Sequence, residues 1–319
     1  MKLDIVPLQL EHLPAAAALF CERYQALRGR VASLPERYES SAACLPRLAE
    51  LTASSPGVAA LSQGRLVGYL TGFSIPDFIG KRSAYSPEWA NAAELDASRQ
   101  IYAEMYAAQS AHWLHAGCIQ HVVTLLANDA SGVQAFHWLG FGLVGVDGMR
   151  GLAAVDAAAP GFVIRQAGEA DLPVVRKLIQ ALEQHVTAAP VFWLHDLGDP
   201  AEWLLDPRNS FWLALEDGSV AGGMGMRLAN EDAALIIQDE STASIVSAYT
   251  WESARRQGIA SALLDRCLRW AQAQGYTRCS VDYETANHSA SRFWGRLFSP
   301  VCYSLIRIID DRLIHEEKI

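Results

Sequence analysis

The heptapeptide Arg255-Arg256-Gln257-Gly258-Ile259-Ala260-Ser261 lies between a predicted strand, Ile245 to Thr250, and a predicted helix, Ile259 to Gln274. Within that helix Ile259, Leu263, Cys267 and Trp270 recur at steps of three or four, and Leu264, Leu268 and Ala271 widen them into one apolar face. Gly275 stands where a left-handed residue ends a helix. The heptapeptide is therefore a strand-to-helix turn holding one glycine and two arginines. The first N–H groups of a helix have no intrahelical partner, and the dipole adds partial positive charge there. A glycine lets a ligand approach the backbone, and the arginines supply full charges. A phosphate or pyrophosphate suits such a turn; the plainer reading is a glycine that starts a helix beside two solvated arginines. Two other phosphate-binding patterns are excluded, because the chain contains neither G-x-x-x-x-G-K-[ST] nor a helix opened by G-x-G-x-x-G.

With these residues in hand, Arg255-x-x-Gly258-x-Ala260 resembles the acyl-CoA pyrophosphate signature of the GNAT N-acetyltransferase superfamily, Q/R-x-x-G-x-G/A. The run Thr250-Trp251-Glu252-Ser253-Ala254-Arg255 sits where that family ends its splayed fourth strand. Asn287-x-x-Ala290-x-x-Phe293-Trp294 is similar to the family's N-x-x-A-x-x-F-Y segment on the next helix. Signature, helix, strand (Arg278 to Glu284) and second helix come in the family's order. The resemblance implies an α+β fold, a mixed and mostly antiparallel twisted sheet flanked by helices. It also implies direct acetyl transfer from acetyl-CoA to a primary amine of a small molecule or peptide, without a metal.

Two segments of the chain recur. Ile5 to Pro14 parallels Ile164 to Pro173, 159 residues on (164 − 5), and Val58 to Gly68 parallels Trp212 to Gly222, 154 residues on (212 − 58). Similar segments at nearly constant offset argue for a duplicated domain. We expect tandem GNAT-like domains at 1–152 and 162–319, joined by the small-residue linker 153–161. In the first, strands are expected at Leu3 to Pro7, in a hairpin Val58 to Phe73, and at His121 to Leu126, with Ile75 to Asn91 as loop. Helices are expected at Leu13 to Leu27, Ala97 to Ala116 and Ala130 to Leu139. In the second, a helix at Leu172 to Glu183 and a hairpin at Phe211 to Arg227 precede two strands around Ala233 to Thr250, and Val301 to Ile309 is its last strand. Where the second half has its arginine–glycine turn, the first offers Glu94 to Gln100, without glycine and with two acids. Its cofactor site is expected to be degenerate.

The resemblance also assigns roles. The pantetheine arm lies along the strand edge Ser247, Ala248, Tyr249, Thr250. The backbone from Arg256 through Gln257, Gly258, Ile259, Ala260 and Ser261, with Arg255, holds the pyrophosphate. Asn287, Phe293 and Trp294 line the arm from the second helix, although Asn287 equally reads as that helix's N-cap. Many family members protonate the leaving thiolate with a Tyr where this chain has Trp294, and an indole N–H is not a general acid at neutral pH. Tyr283, Tyr249 and Tyr303 are candidate replacements, and Glu284 and Glu252 candidate bases. Tyr283 and Glu284 are neighbours on a strand and point to opposite faces, so at most one enters the cleft directly. Loss of the usual Tyr keeps a second reading open, a non-catalytic acyl-CoA-binding sensor or structural module.

Composition bounds the rest. In 319 residues, 26 basic and 35 acidic side chains give a net charge of −9, which offers no basic field for nucleic acid or an anionic membrane. The same acidity leans toward a cationic acceptor such as a polyamine, an aminoglycoside or a lysine side chain. Hydrophobic content of 51% supports a sizeable core. No apolar run of about 18 residues, long enough to span a bilayer, occurs. Six cysteines form no C-x-x-C pair and read as free thiols. The N-terminus lacks the order of a secretion signal, so a cytoplasmic monomer or homodimer is expected. His112, His115, Cys118 and His121 are zinc-type ligands at even steps of three, which drift around a helix instead of converging. Gly222 to Gly225 reads as close packing or a bulge within a strand.

Overall fold

In a computed structural model of the chain, which describes residues 2–194, 196–228 and 234–314, contacts separate two units. The first comprises Met1–Asp147, Ala234–Ile236 and Pro300–Ile319, and the second Gly148–Ala233 and Ile237–Ser299. The first unit runs β1 (Asp4–Pro7), α1 (Leu13–Arg28), α2 (Ser41–Ser54), β2 (Val58–Ser62), β3 (Arg65–Leu70), β4 (Phe73–Phe78), β5 (Lys81–Ser86), β6 (Asn91–Ala93), α3 (Ser98–His115), β7 (Gln120–Leu126), α4 (Ala130–Trp138) and β8 (Gly142–Gly151). In the second, β9 (Phe162–Gln166), α5 (Leu172–Thr187), α6 (Pro200–Leu205), β10 (Ser210–Glu216), β11 (Ser219–Leu228), β12 (Thr242–Thr250), α7 (Ile259–Ala273), β13 (Arg278–Glu284) and α8 (His288–Leu297) follow. The final strand, β14 (Ser299–Ile308), joins the first unit.

Local chemistry repeats between the units. α1 and α5 both open on Leu-Pro, where the missing N–H of proline costs nothing and its fixed φ suits a first turn. The hairpins β2–β3 and β10–β11 close through Gln63-Gly64 and Asp217-Gly218, all four residues at positive φ, as two-residue turns that match strand twist require. Each hairpin carries a register shift, between Ala60 and Leu61 and between Ala214 and Leu215, which lie 154 residues apart (214 − 60). α4 and α8 are capped alike: the Asp129 side chain accepts from the Gly132 N–H and the Asn287 side chain from the Ala290 N–H.

Three expectations need correction. The segment Ile75 to Asn91 is not a loop. It holds most of β4, the strand β5 and the start of β6, with the β4–β5 turn made by Ile79 and Gly80 at positive φ. Pro76 is tolerated because β4 ends its sheet and pairs on one side only. Second, the strand around Val301 does not complete the second half, since β14 pairs antiparallel with β7 from Cys302↔Leu126 to Ile308↔Gln120. The end of β8, from Gly148, belongs to the second unit instead, so the boundary expected at 162–319 is crossed by both strands. Third, of the two strands expected around Ala233 to Thr250, the described residues hold β12; Ala233 itself lies outside them.

In the first unit the strand before α3 is broken. β5 pairs parallel with β7, the chain turns at 87–90, and β6 then pairs with β3. Asn91 staples the break, its Nδ2 donating to the Ser86 hydroxyl, the Pro87 carbonyl and the Thr124 carbonyl, while the Tyr102 hydroxyl donates to its Oδ1. Glu94 is paired with Arg65, and the Ser98 hydroxyl donates to the buried Asp129 carboxylate at 2.9 Å. Glu94, Ser98 and Asp129 are thus engaged by side chains of this unit. Glu88, 1% exposed, accepts the Ile236 N–H at 3.0 Å, and the Tyr38 hydroxyl donates to the Leu235 carbonyl at 2.6 Å. Those two bonds hold residues 234–236 in the first unit although they come from the chain between β11 and β12.

The second unit's sheet has the order β13-β12-β11-β10-β9, antiparallel except for the parallel pair β12–β13. α7 covers one face, burying Ile259, Leu263, Leu264, Cys267, Leu268 and Ala271 against Met224, Ala243 and Ile245. Each fully buried leucine of this set contributes about 1.5–3 kcal/mol of transfer free energy. α5 covers the other face through Val175, Leu178 and Ile179, packed on Phe211 and Leu213.

Candidate active site

The parallel pairing of β12 with β13 runs from Thr242↔Arg278 to Ile245↔Val281 and stops there. On its other side β12 stays paired with β11 as far as Thr250↔Gly222. The β12 edge from Ser247 to Thr250 therefore faces a gap in the sheet. A bulge lies at the same level, where the β11 register shifts between Gly225 and Met226 and leaves Val246 without an opposite residue. A bulge inverts the facing of everything beyond it. Ala243 and Ile245 sit on the α7 face, but beyond the bulge it is Ala248 that does so, and Tyr249 packs on the α5 face.

A cavity of about 740 Å³ occupies this gap and reaches both faces of the sheet. On the α7 side it is lined by the turn 255–261, apart from Gln257, and by α8 residues including Phe293 and Trp294. On the α5 side it is lined by Leu182, His185 and Tyr249. The turn positions its groups through unusual backbone. Arg256 has φ 66° and Gly258 φ 82°, and no side chain caps α7, whose first N–H groups face outward at the cavity. Gly258 also answers to its own chain: a β-carbon there would lie 2.1 Å from the Ala158 carbonyl oxygen of the linker.

The two arginines differ. Arg255 Nε donates to the Thr250 carbonyl at 3.2 Å, its guanidinium stands 3.7 Å from Glu252 and lies over the Tyr249 ring at 5.6 Å. It braces the strand end against the turn. Arg256 is exposed at the mouth of the cavity. An uncapped helix start, a left-handed glycine and an exposed arginine fit a pyrophosphate, and the free strand edge fits an amide-bearing arm.

Of the residues expected from sequence, Ala248, Tyr249, Thr250, Arg255, Arg256, Gly258, Ile259, Ala260, Ser261, Asn287, Phe293 and Trp294 line the cavity; Ser247 and Gln257 do not. Asn287 takes both of its readings, since it lines the cavity and caps α8 with a 3.2 Å bond from the Ala290 N–H. Neither Tyr283 nor Glu284 lines it. Tyr283 packs with Trp294 and Phe293 on the α7 face, its hydroxyl 3.7 Å from where a β-carbon on Gly295 would lie. Tyr303 lies in the first unit, paired with Leu125 and packed against that unit's core. Glu252 is 81% exposed at its side chain and does not line the cavity either. Tyr249 is thus the one phenol among the candidates that does.

Sequence reading missed His185, in the last turn of α5, whose ring meets that of Tyr249 at 6.2 Å between centroids. One available signal was its spacing from Leu178 and Leu182, which puts all three on one helix face. The four zinc-type residues do not converge: His112 and His115 are exposed, whereas Cys118 and His121 are buried. Among the described residues no group of three or more His, Cys, Asp or Glu is placed to hold a metal.

Residues 176–298 match the acetyltransferase (GNAT) family. The second unit carries a GNAT-family domain. No curated protein matches the chain. Among solved structures, a GCN5-related N-acetyltransferase from Sphaerobacter thermophilus is similar over 96% of this chain and 95% of its own, at 14% identity and a TM-score of 0.54. A GCN5-related glucosamine N-acetyltransferase region of a fungal multi-domain GH3 beta-N-acetylglucosaminidase is similar over 96% of this chain and 38% of that one, at 14% identity and a TM-score of 0.51. At this identity the likeness concerns the fold. The bulged β12, the parting of β12 from β13 and the uncapped α7 lie inside the GNAT match.

Proposed function

We propose that the second unit is an N-acetyltransferase that moves an acetyl group from acetyl-CoA to a primary amine, and that the first unit is a duplicated, degenerate copy of the same domain. The observation that carries the reading is one cavity joining the uncapped, arginine-flanked start of α7 to the unpaired edge of β12. Backbone N–H groups from Arg256 to Ser261 and the Arg256 guanidinium would hold the pyrophosphate, and the Ser247 to Thr250 edge the pantetheine arm. Acetyl-CoA supplies the acyl group on a good leaving thiolate. The chain's task is to orient the amine, accept the proton it sheds and return one to sulfur as N–C forms and C–S breaks. Tyr249 takes the donor role in this reading. Trp294 cannot, having only an indole N–H.

Two expected results test it. Calorimetry with acetyl-CoA gives one site per chain; two equivalent sites or none overturns the assignment. Tyr249→Phe lowers turnover tenfold or more at unchanged acetyl-CoA affinity, within the range of about 10²–10⁴ that general acid catalysis contributes. Full activity in that variant would pass the role to water. The second reading, a non-catalytic acyl-CoA-binding module, is favoured by Trp294 alone, and an absence of thiol release over a broad amine panel would select it.

A further inference from the structure

We infer that the acceptor is a monoamine with an aromatic or flat apolar body, and that polycationic amines are excluded. The inference rests on the acyl-transfer reading and concerns the α5 side of the cavity. Among the described residues that line the cavity none is Asp or Glu, and Arg255, whose guanidinium lies over the Tyr249 ring, brings a positive charge to the α5 side. A polyamine, an aminoglycoside or a lysine-rich peptide carries several ammonium groups into its site, and each needs a carboxylate or carbonyl partner to offset desolvation. Two described acids that neighbour lining residues in sequence are engaged outside the cavity. Glu252 is 81% exposed and turned to Arg255, and the Glu183 carboxylate accepts the Leu197 N–H at 2.8 Å.

The aromatic surface already holds a cation. Tyr249 is the ring most able to attract an ammonium, but the Arg255 guanidinium already lies over it at 5.6 Å. The edges of Trp251 and His185 enclose it further, at 5.3 Å and 6.2 Å between centroids. What remains open toward the cavity is the apolar and aromatic wall of Leu182, His185 and Tyr249. A flat apolar body can bury its surface there and gain edge-to-face contact. The Arg255 charge beside the wall favours the neutral form of the single amine, which is the form that attacks. The net charge of −9 points the other way, toward cationic acceptors, but it describes the whole chain and not this lining.

Purified full-length protein tests the inference by two readouts. With acetyl-CoA, thiol release is compared for 2-phenylethylamine, spermidine and a lysine-containing peptide. A kcat/KM for 2-phenylethylamine at least tenfold above both others is expected, and a preference for spermidine or the peptide overturns the inference. With coenzyme A in place of acetyl-CoA, calorimetry should show binding of 2-phenylethylamine and none of spermidine; the reverse order overturns it. Binding of 2-phenylethylamine by a protein that releases no thiol would support the inference while defeating the acyl-transfer reading. Leu182→Glu places a carboxylate on the same wall at a half-buried helical site and should narrow the preference at least tenfold toward spermidine. An unmoved ratio in the folded variant counts against the wall as the selecting surface.

Discussion

Replacing Gly258 with Asp is expected to abolish acetyl-CoA binding and to cost stability as well. The charge argument comes first. A carboxylate at the start of α7 would face the pyrophosphate at close range, and each charge-assisted bond lost is worth about 1.5–3 kcal/mol before repulsion is added. The backbone adds a second effect. Gly258 has φ 82°, and any β-carbon there meets the Ala158 carbonyl oxygen at 2.1 Å. A left-handed non-glycine residue and an overpacked contact together cost about 2–5 kcal/mol. Gly258→Ala carries the steric cost without the charge, so comparing the two variants separates the effects. Urea denaturation should show both destabilised to a similar extent, and calorimetry should show Ala binding acetyl-CoA at least tenfold more tightly than Asp. Wild-type affinity in a folded Gly258→Asp protein would place the anion elsewhere.

Acid should unfold the first unit by way of His121. That ring is 1% exposed, and its Nδ1 lies 2.8 Å from the Tyr106 hydroxyl. Burial pushes its pKa down to about 4, with the Arg307 guanidinium adding to the effect and a bond involving the Cys118 backbone opposing it. A base whose folded pKa is depressed binds its proton more weakly in the folded state. Its stabilising contribution is therefore complete above the unfolded value of 6.5 and is lost as pH falls through about 4. The loss amounts to about 3 kcal/mol at one pKa unit per 1.36 kcal/mol. Glu88 works in the opposite sense. Burial raises its carboxyl pKa, so its contribution is largest below 4.5 and falls as pH rises. His121→Gln removes the titrating group while keeping a partner for Tyr106. Denaturation of both proteins between pH 7 and pH 4 should show the wild type losing about 3 kcal/mol more than the variant. Parallel stability curves would remove His121 as the cause.

The turn 255–261 was legible because its chemistry is local. A strand, a glycine and an amphipathic helix in series determine that unpaired N–H groups and arginines meet, whatever surrounds them. The Asn287 cap and the two hairpins were legible for the same reason, since Asn287, Gln63-Gly64 and Asp217-Gly218 act within a few residues of themselves. Alternation along β13 predicts that Tyr283 and Glu284 face opposite ways, but it could not say that neither would line the cavity. Three features escaped sequence reading because each depends on chain far away. The bulge at Val246 is set by the register of β11 and turns Tyr249, not Ala248, toward α5. The linker carbonyl of Ala158 lies where a β-carbon on residue 258 would press, so the linker also requires glycine there. The pairing of β14 with β7 moves Tyr303 into the first unit.

By itself, then, the sequence determined the helices and hairpins that flank the site and the anion-ready start of α7, since helix periodicity, turn residues and local charge operate over one or two turns of chain. Tertiary structure alone decided which side chains share the cavity. His185 meets Tyr249 only because α5 crosses the face that the bulge presents, and Arg255 comes to lie over that ring only because its Nε is fixed by the Thr250 carbonyl. The contact of His185 with Tyr249 joins residues 64 positions apart (249 − 185) through packing and strand register, and no pattern within either segment encodes it.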